Sequence, residues 1–213
     1  MRESSPTQLE TLASLRRRGL LPAEAYRVQV EALTEARAEA PAGPVSLPWH
    51  VFAVIVAVVG CVIAIPGVIF QELQAAGSII AAPVIEEAMK PAGVYLLMLR
   101  WPRALLGRLH IAVLAAIAGL TFGLIESWIY VTIYFPDEGS DYVLFRFTVP
   151  VTLHVVASFI VGLGLSRTII DWAAGRAPFP RRTRNFYFAG AGLHALYNLT
   201  AVILALSGVL EFD

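Results

Sequence analysis

The chain has 213 residues, 57% of them hydrophobic and 15% charged, with zero formal net charge and a mean hydropathy of +0.68. A composition this apolar belongs to polytopic membrane proteins rather than to soluble domains. Zero net charge offers no basic surface to nucleic acid. The one cysteine, Cys61, excludes an intramolecular disulfide and a cysteine-based zinc site.

Residues 1–48 are charged and alanine-rich, so no cleavable leader is expected, and neither end carries a lipidation motif. Leu9, Leu12 and Leu15 recur at helical spacing and end at Arg16-Arg17-Arg18-Gly19. Pro22 is placed to open a second helix with Tyr26, Val30 and Leu33 on one face. The pair reads as a short cytoplasmic helical hairpin turning at Gly19, with a linker at Pro41-Ala42-Gly43-Pro44 and Pro48. This divides the chain into a hairpin and linker, 1–48, and a transmembrane core, 49–213. The hairpin is a solvated appendage on the plain reading and a regulatory or partner-binding element on the other.

Five apolar runs follow, over residues 49–70, 77–99, 109–134, 145–166 and 186–210. Each is long enough to cross a bilayer as a helix. The expected fold is an all-α polytopic membrane protein with about five transmembrane helices. Pro66 is placed to kink or end the first, and abundant Gly, Ala and Ser suit close helix packing. Arginines crowd the N-terminal segment, the second–third connection (Arg100, Arg103, Arg108) and the fourth–fifth connection (Arg167, Arg176, Arg181, Arg182, Arg184). The third–fourth connection carries Asp137, Glu138 and Asp141, and the chain ends with Glu211 and Asp213. The positive-inside rule then puts the N-terminus in the cytoplasm and the C-terminus outside the plasma membrane.

The second run contains Glu86, Glu87 and Lys90, the only lysine, and Glu126 sits within the third. Each such charge costs roughly 2.5–3.5 kcal/mol at a membrane-helix centre. The sum is on the order of 10 kcal/mol, comparable to the stability of a domain. A functional site is the default explanation. A Glu86–Lys90 pair, one turn apart, lowers the net buried charge.

The fourth run adds His154, and the fifth adds His194 and Asn198, again one turn apart. Counting back from the arginine at each helix end, at about 1.5 Å per residue, places all these groups in the middle or outer half of the bilayer. They are therefore expected to share one polar chamber. Peptide hydrolysis needs an activated water and donors for a developing oxyanion. A carboxylate with a neutral imidazole supplies the first, and a His/Asn pair at i, i+4 supplies the second. Singly, each residue has a plainer explanation: His154 as a packing residue, His194 and Asn198 as interhelical hydrogen bonders, Glu126 as a packing or proton-relay group. The combination is what is specific.

Glu86-Glu87-x-x-Lys90, Phe122-x-x-x-Glu126, His154 and His194-x-x-x-Asn198 resemble the motifs of the PrsW family of intramembrane proteases, relatives of the type II CAAX prenyl endopeptidases and bacterial CPBP membrane proteins. The likeness covers about residues 50–210. The relatives show Glu-Glu-x-x-x-Arg and Phe-x-x-x-His, whereas this chain has Lys90, Pro91 and Glu126. Those departures favour PrsW and argue against prenylated substrates.

The resemblance implies a glutamate-type endopeptidase that cleaves single-span membrane proteins, such as anti-sigma factors, near the outer face of the membrane. By it, Glu86 is the general base and Glu87 its support. His154 shares or orients the water, His194 and Asn198 form the oxyanion site, and Glu126 orients a histidine or completes the proton network. Lys90 and Phe122 are supporting residues. No cofactor is expected.

The nearest rival is a zinc peptidase with His154, His194, Glu86 and Glu126 as ligands, though no His-Glu-x-x-His motif is present. A proton-coupled transporter also uses buried Glu and His, but no inverted repeat is visible. A non-catalytic membrane scaffold is the remaining class. The partners expected are the bilayer and a single-span protein. An oligomeric state does not follow from the sequence.

Overall fold

A computed structural model describes residues 8–39, 47–74 and 81–208. The linker at 41–44, the beginning of the second apolar run at Gly77, and the terminal residues Arg2, Glu211 and Asp213 lie outside the described residues.

Helices α1 (Gln8–Arg17) and α2 (Ala23–Glu39) pack on each other as the expected hairpin. Gly19 makes the turn at φ 71°, a left-handed conformation in which glycine has no Cβ to strain. Helix α3 (Leu47–Gln74) includes Pro48, which thus belongs to a helix rather than to the linker. A proline in the first turn costs no hydrogen bond, because that N–H has no acceptor in the helix. Pro66 does not end α3.

The second apolar run departs from expectation. It is not one helix but two of nine residues each, α4 (Ala81–Met89) and α5 (Ala92–Arg100), broken at Lys90-Pro91. Pro91 has no N–H to donate, and its ring disfavours helical backbone in the residue before it. The hydrophobic pattern continues across the break, so periodicity alone reads it as one element. A short 3₁₀ turn (Pro102–Ala104) leads to α6 (Arg108–Ile129), which ends in a π-helical turn over Tyr130–Tyr134. Helix α7 (Ser140–Gly164), the short α8 (Thr168–Ala173) and α9 (Arg181–Leu206) complete the fold.

Four described helical stretches are long and apolar enough to cross a membrane: Pro48–Pro66, Arg108–Tyr134, Ser140–Gly164 and Arg181–Leu206. The expected fifth is the broken α4–α5 pair. The described elements are all helical, and the chain is an all-α polytopic membrane protein. Its polarity is inverted relative to a water-soluble fold. Ile63 is 73% exposed and Leu206 84%, whereas Glu87 is 0% and Lys90 1%. Apolar side chains facing outward suit lipid, and charges facing inward escape it.

The bundle packs α6 on α7, α7 on α9, α3 on α5 and α6, and α4 on α9. An apolar core of Ala53, Ala57, Val94, Leu97, Met98, Ile111, Leu114 and Leu165 lies between helices α3, α5, α6 and the end of α7. Close approach rests on small residues. A Cβ on Gly93 would collide with the backbone of Val56 and Ala57, so α5 reaches α3 only as glycine. The hairpin meets the arginine-rich end of the bundle. Tyr26 Oη donates to the carbonyl of Arg176 at 2.8 Å, and Arg181 pairs with Glu31 at 3.5 Å.

Candidate active site

Breaking the second run at Lys90-Pro91 has a local consequence. Helix α4 ends one residue before Lys90, whose N–H still donates to the Glu86 carbonyl at 2.8 Å. Glu86, Glu87 and Lys90 therefore share the final turn of α4 and turn into the bundle together. All three are at most 2% exposed. Tyr187 Oη of α9 donates to the Val84 carbonyl at 2.5 Å and ties α4 to α9.

Glu87 is saturated. Its Oε1 takes Lys90 Nζ at 2.5 Å and His194 Nδ1 at 3.0 Å, and its Oε2 takes Ser158 Oγ at 3.1 Å. Glu86 is the opposite case. Its Oε2 is 3.1 Å from Lys90 Nζ and 3.9 Å from His194 Nδ1, yet it is buried with no hydrogen-bond partner. Buried polar atoms are nearly always hydrogen-bonded, and Glu86 Oε2, with only the ion pair to Lys90, can accept a further donor.

His154 sits between two partners that dictate its tautomer. Nε2 is 2.9 Å from Glu126 Oε2, and Nδ1 is 2.7 Å from Lys90 Nζ. A carboxylate accepts and an ammonium only donates, so Nε2 carries the proton and Nδ1 presents its lone pair. The His154 and His194 rings meet edge to face with centroids 4.8 Å apart. Phe122 packs edge-on against His154 at 5.3 Å, and Lys90 Nζ lies 4.5 Å from its ring centroid. Gly123, opposite His154, leaves the room: a Cβ there would fall 2.9 Å from His154 Cδ2.

The expected residues Glu86, Glu87, Lys90, Phe122, Glu126, His154 and His194 thus form one contiguous cluster. Asn198 lies one turn beyond His194 on α9, half-buried, with no side-chain hydrogen bond among the described residues. Glu126 stands behind His154 rather than facing Glu86. The three residues whose ligand atoms lie within 4.8 Å of one another are Glu86, His154 and His194.

Two members of the cluster were not anticipated. Ser158 is one turn past His154 on α7 and holds Glu87. Arg146 Nη2 lies 3.2 Å from Glu126 Oε2. The readable signal was helical spacing from His154, four residues one way and eight the other, on one face of α7.

The family model described as PrsW family intramembrane metalloprotease matches residues 45–212. The chain belongs to the PrsW family. It is an intramembrane protease, and as a multi-pass membrane enzyme it works in a lipid bilayer on membrane-protein substrate. No curated protein and no solved structure matches it significantly. The PrsW match spans all four membrane-length helices and the whole polar cluster, and it excludes α1 and α2. Membership removes the transporter and scaffold readings of the buried charges.

Proposed function

We propose that this PrsW-family protease is a glutamate-type endopeptidase that cleaves a single-span membrane protein, with Glu86 as the base. The observation that carries the reading is the contrast between neighbours: Glu87 holds three hydrogen-bond donors, whereas Glu86 Oε2 has an ion pair with Lys90 at 3.1 Å and no hydrogen bond. A buried carboxylate oxygen kept ionised by an ammonium, with no hydrogen bond already made, can take a proton from water.

In this reading Glu86 accepts that proton as the water oxygen bonds to the substrate carbonyl carbon. His154 borders the water site. Asn198 donates to the oxyanion together with His194 in its imidazolium form, which gives Nδ1–H to Glu87 and has Nε2–H left for the oxyanion, so no further proton is taken up during the step. As the tetrahedral intermediate collapses, the C–N bond breaks and Glu86 returns the proton to the leaving amine. Glu87 and Lys90 position the pair, and Glu126 orients His154.

The arginine-rich end of the bundle, with the α1–α2 hairpin docked on it, would face the cytoplasm. The polar cluster then lies toward the outer leaflet, and the C-terminus is outside.

A second reading is favoured by the same oxygen, ion-paired but without a hydrogen bond. Glu86, His154 and His194 are a zinc-type donor set, and three carboxylates against Lys90 and Arg146 leave one surplus negative charge when all are ionised and the histidines are neutral. Those three residues would hold the ion, which supplies Lewis-acid polarisation and acidifies water. Against it, Lys90 Nζ already brings a cation to His154 Nδ1 at 2.7 Å.

The test uses purified enzyme and a single-span reporter in proteoliposomes. Glu86→Gln should abolish cleavage while the protein stays folded, and full retention of cleavage overturns the assignment of the base. Chelation with metal analysis separates the readings: activity in metal-free enzyme supports the first, and loss restored by zinc supports the second.

A further inference from the structure

Helix α7 presents three polar residues on one face: Arg146, His154 and Ser158. His154 and Ser158 contact the carboxylates of the site directly. Arg146 has no role in the chemistry described so far, although a guanidinium within a membrane-length helix is expensive.

Its surroundings are specific. Arg146 Nη2 donates to Glu126 Oε2 at 3.2 Å. The guanidinium carbon lies 3.8 Å from the centroid of the Tyr130 ring, at the π-helical turn that ends α6. Ser127 Oγ donates to the Arg146 carbonyl at 2.7 Å and locks the backbone beneath it. Arg146 Nε is buried and has no hydrogen-bond partner. An arginine present only to neutralise Glu126 would gain most from a bidentate fork. Here a single N–H is spent on the carboxylate, and it goes to Oε2, the oxygen that also receives His154 Nε2 at 2.9 Å. Tyr130 and Ser127 hold the arginine in this one-armed pose.

We propose that Arg146 is a positioning residue of the protease: by holding Glu126 Oε2, the oxygen that also receives His154 Nε2, it fixes the orientation of the His154 ring. Held as a charged acceptor, Glu126 requires the proton on Nε2, so the Nδ1 lone pair points to the Glu86–Lys90 side where the reaction is placed. Arg146 touches neither substrate nor reacting atoms. The functional importance of this rests on reading His154 as an active-site residue, but the orientation itself does not.

Four single variants and one double variant test it: Arg146→Met, Arg146→Gln, Arg146→Lys, Glu126→Gln and Arg146→Met/Glu126→Gln. Losing an outer partner of an active-site histidine costs about 10–100-fold, and this loss should appear in kcat with KM unchanged. Arg146→Lys should recover most of it. The double variant Arg146→Met/Glu126→Gln should be no slower than Glu126→Gln alone, because both act through one oxygen.

Nitrogen-15 NMR of histidine-labelled protein gives a readout independent of turnover. Wild type should show His154 protonated at Nε2. Arg146→Met and Arg146→Gln should shift and broaden the His154 Nε2 resonance as its acceptor loosens, while Nδ1 stays unprotonated beside Lys90. Should Arg146→Met not fold, Arg146→Gln carries the same test. Unchanged His154 shifts in a folded charge-removing variant overturn the proposal, as do losses that multiply in the double variant. If wild type cleaves no reporter, the protease mechanism is at fault, and the NMR arm still decides the role of Arg146.

Discussion

At Glu87 and again at Glu126 the chain buries a carboxylate against a cation and a histidine, but the two flanks of the polar layer are built differently. Glu87 uses both oxygens, receives donors from α7, α9 and its own turn, and is 0% exposed. Glu126 gathers both of its donors on Oε2, leaves Oε1 without a hydrogen bond among the described residues, and is 22% exposed. The Glu87 flank therefore holds helices together, and the partly exposed Glu126 flank holds one ring in place. Among Glu86, Glu87, Lys90, Glu126, His154 and His194, Glu126 alone has appreciable exposure.

The largest effect should come from the closed flank. Glu87→Ala leaves Lys90 without its shortest partner in a site from which solvent is excluded, and breaking a buried pair this way costs about 3–5 kcal/mol. Thermal unfolding in detergent should register that loss. Glu126→Ala, at the open flank, should lower stability by much less while still slowing cleavage. Glu87→Gln combined with Lys90→Met should regain much of the lost stability, because removing both charges together removes the desolvation problem. Equal destabilisation by Glu87→Ala and Glu126→Ala would erase the distinction between the flanks.

A smaller effect probes the contact between them. Gly123→Ala places a methyl 2.9 Å from His154 Cδ2 and 3.1 Å from Val151 Cα. Overpacking of this kind costs about 1–3 kcal/mol. Cleavage should fall more than stability, since the atom displaced belongs to His154. Gly192→Ala, with open space at its Cβ, is the control and should change neither.

Much of this could be read from the chain. Charges that lipid would penalise pointed to Glu86, Glu87, Lys90 and Glu126, and helical spacing put His194 and Asn198 on one face. What could not be read was backbone detail and partner choice. The break at Lys90-Pro91 is a proline effect acting inside an unbroken apolar run, so hydropathy and local chemistry disagree, and the proline wins. Arg146 stood near the beginning of an apolar run, where an arginine reads as an interfacial anchor. Only the packing of α7 on α6 turns it toward Glu126. Ser158 looked like one more small packing residue, because nothing in a sequence tells which hydroxyl meets a carboxylate.

The arginine-rich end supplies the smallest expected effect and the outer bound on the contrast. Arg181 faces Glu31 at 3.5 Å and Glu24 at 3.9 Å, and its side chain is 49% exposed. These pairs have the same chemistry as Lys90 with Glu87, but solvent screens them and two long side chains must be ordered to make them. Exposed pairs are worth about 0.2–1 kcal/mol. Arg181→Ala should therefore lower the unfolding temperature only slightly, and 1 M salt should remove the difference from wild type, since the screening length falls to about 3 Å there. A loss as large as that of Glu87→Ala, or one that persists in high salt, would mean that the hairpin is held by more than these ion pairs. Tyr26, bonded to the Arg176 carbonyl at 2.8 Å, would then be the next residue to change.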